Sequence, residues 1–156
     1  MGAIEITDTA AFDVVLAADD EMANIVAALR SQYPDAGIWQ VRGSKMGTLA
    51  ALFDELGAAL QFPYYFGENW AALHDCLLDL SWQPAHDHLL VVTNAHLVLE
   101  HEPADAWVRL VDELRATHDA WSGNGTSFRT IFHAPPAAAD RLRERLRAAG
   151  LLADAE

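Results

Sequence analysis

Apolar and polar positions along this chain follow two rhythms, one near 3.6 residues and one of short continuous runs, and the rhythm changes at turn signals. Phe12-Asp13-Val14-Val15-Leu16 is a short apolar run that reads as a strand. Asp19 and Asp20 then start a helix whose apolar positions Met22, Ile25, Val26 and Leu29 recur at helical spacing. That helix should stop near Tyr33-Pro34, because a residue before proline avoids the α region. Ile38-Trp39-Gln40-Val41 predicts a second strand, turned by Arg42-Gly43-Ser44-Lys45.

Thr48 is a fair N-cap for the helix that follows, with Leu49, Leu52, Phe53, Leu56 and Leu60 as its apolar stripe. An aromatic turn comes next, then a helix from about Asn69 to Leu80. Leu89-Leu90-Val91-Val92 is apolar at every position, as a central parallel strand covered on both faces should be. Pro103 suits the first turn of another helix, with Trp107, Leu110, Val111 and Leu114 inward. Ser122-Gly123-Asn124-Gly125 reads as a loop and Ser127 to His133 as a last strand. Pro136 opens a terminal helix carrying Leu142, Leu146 and Ala149, ended by Gly150.

Strands alternating with helices argue for an α/β fold with parallel pairs and helices on the sheet faces. The composition changes near Pro34-Asp35-Ala36-Gly37, so residues 1–36 form an added βα unit packed on a core of residues 37–134, with a terminal helix in 135–156. The expected sheet has about three strands and is open to a fourth from the added unit.

Composition narrows the function. A chain of 156 residues, 52% hydrophobic with five tryptophans, can bury on the order of two-thirds of its unfolded surface. Ten basic residues against 23 acidic ones leave a formal net charge of -13. Such a surface repels nucleic acid and draws basic partners, although solubility alone also favours acid. The single cysteine, Cys76, permits no internal disulfide, and the start Met1-Gly2-Ala3-Ile4-Glu5 has no basic or apolar leader region. With no apolar run near the ~20 residues of a membrane span, the expectation is a cytoplasmic chain, monomeric when free and without a membrane partner.

Catalytic signatures are weak. His86-Asp87-His88 and the region from His96 to His101 invite a metal, but no matching Cys or carboxylate spacing follows. Arg42-Gly43-Ser44-Lys45-Met46-Gly47 lacks the phosphate-loop spacing, and no Gly-x-Ser-x-Gly elbow occurs. No cofactor, metal or catalytic residue is expected.

The informative stretch is Phe62-Pro63-Tyr64-Tyr65-Phe66-Gly67-Glu68-Asn69-Trp70-Ala71-Ala72-Leu73-His74-Asp75-Cys76-Leu77. Trp70, Leu73, Cys76, Leu77 and Leu80 share one helical face, which leaves Ala71, His74, Asp75 and Leu78 together on the other. Gly67 permits a backbone turn that a bulkier residue would resist, and Asn69 can cap the helix. A rigid patch holding an aromatic and a carboxylate suits a tight protein interface.

This stretch resembles the signature of the barstar family in its aromatic-Gly-Glu-Asn turn and its Ala-Leu-x-Asp-Cys-Leu helix. The order of elements over about residues 37–134 agrees. The resemblance implies an inhibitor that plugs a basic ribonuclease active site with an acidic helix and the adjoining loop. It matches Tyr65 to an interface tyrosine, Asn69 and Trp70 to the helix start, and Asp75 to the principal interface aspartate. Glu113 aligns with a second interface acid, although the residues alone favour its pairing with Arg109 one turn earlier. Ala71 and His74 depart from the family's aspartate and tryptophan. The implied partner is a basic secreted ribonuclease or nuclease toxin; the alternative is a non-inhibitory interaction or regulatory module of the same fold.

Overall fold

The computed structural model describes residues 4–63 and 66–153. Its strands are β1 (Phe12–Leu16), β2 (Gly37–Arg42), β3 (Asp87–Thr93) and β4 (Ser127–Ala134), all parallel, in the spatial order β1-β4-β3-β2. Parallel neighbours need long crossovers, and helices supply them. These are α1 (Asp19–Gln32) between β1 and β2, α2 (Leu49–Leu60) and α3 (Trp70–Asp79) between β2 and β3, and α4 (Ala104–Gly123) between β3 and β4. A last helix, α5 (Ala139–Ala148), follows β4.

Two apolar cores flank the sheet. On one face Leu90, Val92, Phe128 and Phe132 meet Leu52 and Leu56 of α2, Leu73 and Leu77 of α3, and Leu110 and Leu114 of α4. On the other, Ile38, Val91 and Ile131 meet Met22 and Val26 of α1. The interior strand β3 is covered on both faces, as the apolar run Leu89-Leu90-Val91-Val92 predicts. The fourth strand is β1, which runs beside β4 in register from Phe12 opposite Thr130 to Leu16 opposite Ala134. A fully buried histidine reinforces that seam. His133 Nδ1 accepts from the Asn94 N–H at 3.1 Å, so Nε2 carries the hydrogen and donates to the Ala17 carbonyl at 2.8 Å.

Open parallel sheets hold small ligands in a crevice beyond the carboxyl ends of their strands. Here the chain itself fills that end. The Leu99 N–H donates to the Met46 carbonyl at 2.7 Å and the His101 N–H to the Gly47 carbonyl at 3.0 Å. Gly43 sits so close that a Cβ there would lie 2.1 Å from the Asn94 carbonyl oxygen.

Two boundaries differ from the sequence reading. The loop expected at Ser122-Gly123-Asn124-Gly125 begins only at Asn124, because α4 continues through Gly123. Its last turn is held from outside, where Trp121 Nε1 donates to the Leu77 carbonyl at 2.9 Å. Pro136 opens a short 3-10 turn over Pro136–Ala138, and α5 starts after it. Gly150, at φ 77°, ends α5, with the Leu151 N–H returning to the Leu146 carbonyl.

Candidate interaction surface

Helix α3 is started by its cap. Asn69 Oδ1 accepts from the Ala72 N–H at 2.8 Å, and Asn69 Nδ2 donates to the Gly67 carbonyl at 3.1 Å. Gly67 matters here for room: a Cβ on it would sit 3.1 Å from Asn69 Nδ2. The left-handed residue of the turn is not Gly67 but Glu68, at φ 50°. Inward, Leu73 and Leu77 expose nothing, and Cys76 and the following Leu80 are buried. Truncating either fully buried leucine would cost ~2–5 kcal/mol, so the core fixes where α3 lies.

Outward, Ala71, Asp75 and Leu78 are exposed and His74 is half-buried. The aromatics before the helix brace it. Phe62 and Phe66 pack with ring centroids 4.9 Å apart, and Phe53 receives Phe66 and Trp70 edge-on at 6.1 and 5.7 Å. Trp82 meets Phe62 edge-on and donates from Nε1 to the Leu60 carbonyl at 2.9 Å. Tyr65 lies outside the described residues.

Glu113 does not pair with Arg109. The Arg109 guanidinium instead stands over the Trp70 ring, 5.1 Å from its centroid. Glu113 turns to α3, where His74 Nδ1 lies 2.9 Å from its Oε2. An exposed i,i+4 ion pair contributes only ~0.3–0.5 kcal/mol, too little to hold either side chain when the neighbouring helix offers a ring face and an imidazole. Thus Arg109 on Trp70 and His74 with Glu113 join α3 to α4 at the surface, beside the Trp121 hydrogen bond to the Leu77 carbonyl. Of the residues singled out by sequence, Trp70, Ala71, His74 and Asp75 lie on α3 and Glu113 on α4, with Asn69 capping α3 and Gly67 in the turn that leads to it.

One acid escaped the sequence reading. Asp54, exposed on α2, lies beside Glu68, and this neighbouring carboxylate holds the Glu68 carboxyl above the usual carboxylate range. Glu68 was visible within the turn motif; Asp54 was not, because only the fold brings α2 beside that turn. Burial, and then the charges of Asp75 and Asp79, push the Cys76 thiol up, so it stays a protonated core group.

A concavity lies elsewhere. A cavity of about 710 Å³ opens at the amino ends of β3 and β4, lined by Leu29, Ile38, Leu89 and Ile131 with Arg129, Asp35 and Asp87 among its polar groups. It includes no residue of the α3 surface. Of the two histidines that invited a metal there, His86 is exposed and His88 is buried between Trp39 and Trp121. Among the described residues no three His, Cys, Asp or Glu side chains gather as a metal site would need. No described helix is long and apolar enough to cross a membrane.

Comparison with solved structures finds the same architecture in larger proteins. The chain is similar to the ORC2 protein of Aeropyrum pernix, solved as ADPNP-ADP complexes, with a TM-score of 0.59 and 11% identity. It is also similar to CDC6P of Pyrobaculum aerophilum, at a TM-score of 0.51 and 14% identity. The alignments cover 90% and 92% of this chain but only 39% and 44% of those proteins. At such identities the likeness is one of fold alone. No curated protein matches in sequence. One family model does, described as Barstar (barnase inhibitor), over residues 37–133.

Proposed function

Because the chain belongs to the barstar (barnase inhibitor) family, we propose that it inhibits a basic microbial ribonuclease by covering the enzyme's active site with the outer face of α3 and the turn before it. The observation that carries this reading is the exposed Asp75 on a helix whose other side is anchored in the core. A ribonuclease site is built from cations that receive substrate phosphate. A carboxylate held rigidly in that position replaces the phosphate without the entropy cost of ordering a flexible arm. Glu113 adds a second acid from α4, Trp70 opens α3, and Tyr65 and Gly67 belong by sequence to the aromatic turn before it.

Asp75 is the residue on which the affinity should rest. Asp75→Ala should raise the inhibition constant against barnase, or a related basic ribonuclease, by at least about thirtyfold, the level of an interface hot spot of ~2 kcal/mol. Glu5→Ala, outside the assigned face, should leave it unchanged. Equal effects from the two would remove the assigned face, and a wild-type excess that leaves every such ribonuclease active would remove the inhibitor reading.

Ala71 and His74 favour a second reading. With one acid and one aromatic fewer than the family pattern on this face, the basic partner could be a protein other than a nuclease. Partners recovered by affinity capture and then assayed for ribonuclease activity separate the two readings.

A further inference from the structure

The contact between His74 and Glu113 does more than join two helices. Glu113 presents a carboxylate oxygen to His74 Nδ1 at 2.9 Å. A carboxylate can only accept, so the hydrogen of the neutral imidazole sits on Nδ1 and donates to Glu113 Oε2. The other ring nitrogen, Nε2, is then an acceptor. It has no hydrogen-bond partner among the described residues and is not among the buried atoms, and the side chain is 42% exposed. His74 is also the residue before Asp75 on the same outward side of α3. The charged groups around it are Glu113 and Arg109 from α4 and Asp75 from α3, and Arg109 is engaged with the Trp70 ring.

We propose that His74 is a specificity-determining residue of this surface: Glu113 locks its ring so that Nε2 accepts a hydrogen bond from a guanidinium or ammonium group of the partner. The inference rests on the inhibitor reading above. A carboxylate behind an imidazole fixes the ring's tautomer and orientation, so the pair offers a cation a fixed acceptor. The pair also uses up one oxygen of Glu113 and leaves the other for the same partner. A surface built in this way selects a basic partner with two donors in reach, one for Asp75 and one for His74. An indole at this position would offer only a donor.

The ring's state can be read in the free protein. Nitrogen-15 NMR at about pH 8, where imidazole is mostly neutral, should find His74 protonated at Nδ1, and Glu113→Ala should relax it to a mixture of tautomers. An Nε2-protonated ring in the wild type would overturn the assignment. Binding to barnase, or to whichever basic ribonuclease the wild type inhibits, tests the partner's half. His74→Asn keeps a donor near Glu113 but nothing at the Nε2 position, whereas His74→Gln keeps an acceptor near Nε2. His74→Asn and His74→Phe should each weaken binding about tenfold or more, and His74→Gln should recover part of the loss. If the contact only held the helices together, His74→Asn would be the variant that recovers. That ordering, or full affinity in His74→Phe, would overturn the proposal while leaving the inhibitor reading intact. A wild type that binds no ribonuclease would overturn both.

Discussion

Single residues of this chain are placed by what they can bond, and two histidines show opposite outcomes. His133 satisfies both ring nitrogens, whereas His88, 2% exposed, satisfies neither. His88 is held by rings alone: Trp39 stacks on it at 5.2 Å and Trp121 meets it edge-on at 4.8 Å. Burial pushes His88 below the ordinary imidazole range, against the weaker pull of Asp87. His96 is lowered too, first by burial and then by Arg141 and Arg145. Both rings therefore bind a proton more readily in the unfolded chain than in the folded one. Their effect on stability is absent above the unfolded value near pH 6.5 and destabilises the fold as the pH falls through that window toward the folded values. His88→Leu keeps an apolar filler and removes the titration. Thermal unfolding at pH 8 and pH 5 should show a smaller acid-side loss of Tm in this variant than in the wild type, and equal losses would show that His88 does not carry the effect.

At the scale of elements, helices and strands were legible where local pattern and local chemistry agree. Thr48 caps α2 by accepting from the Ala51 N–H, as its position suggested, and the α3 face split into Leu73 and Leu77 inward and Asp75 outward as 3.6-residue spacing requires. What could not be read were choices made by distant partners. Glu113 left Arg109, four residues away, for His74, thirty-nine residues away, and α4 kept its last turn because Trp121 reaches the Leu77 carbonyl. The place of β1 beside β4 is likewise a pairing across more than a hundred residues, which the run Phe12-Asp13-Val14-Val15-Leu16 cannot specify by itself. The cap of α3 belongs with the legible features, and it joins stability to the interaction surface. Asn69→Ala removes the acceptor for the Ala72 N–H and the donor to the Gly67 carbonyl, and should cost ~1 kcal/mol in denaturant unfolding. Asn69→Asp keeps the acceptor and should recover most of that loss. A stability unchanged in Asn69→Ala would mean that the aromatic packing of Phe53, Phe66 and Trp70 sets the start of the helix without the cap.

For the molecule as a whole, charge and shape act on different steps of association. Under the proposed inhibitor reading, the net charge of -13 would act at long range and set how often a basic partner arrives in a productive orientation, while Asp75, His74 and Glu113 would act at contact and set how long it stays. Salt separates the two. The screening length is about 30 Å at 0.01 M ionic strength and about 3 Å at 1 M, so added salt should erase steering before it erases short contacts that exclude water. The association rate constant with a basic ribonuclease should therefore fall about tenfold or more between those limits, measured by stopped-flow fluorescence of the tryptophans, while the dissociation rate constant changes less. Asp75→Ala should do the reverse, raising dissociation strongly while lowering association only slightly, since it removes one charge in thirteen. If salt changed only dissociation, the acidity of this chain would be a matter of solubility and its partner would be found without electrostatic guidance. Comparable slopes in wild type and Asp75→Ala, beside a large difference in dissociation, would place steering in the whole acidic surface and specificity in the outer face of α3.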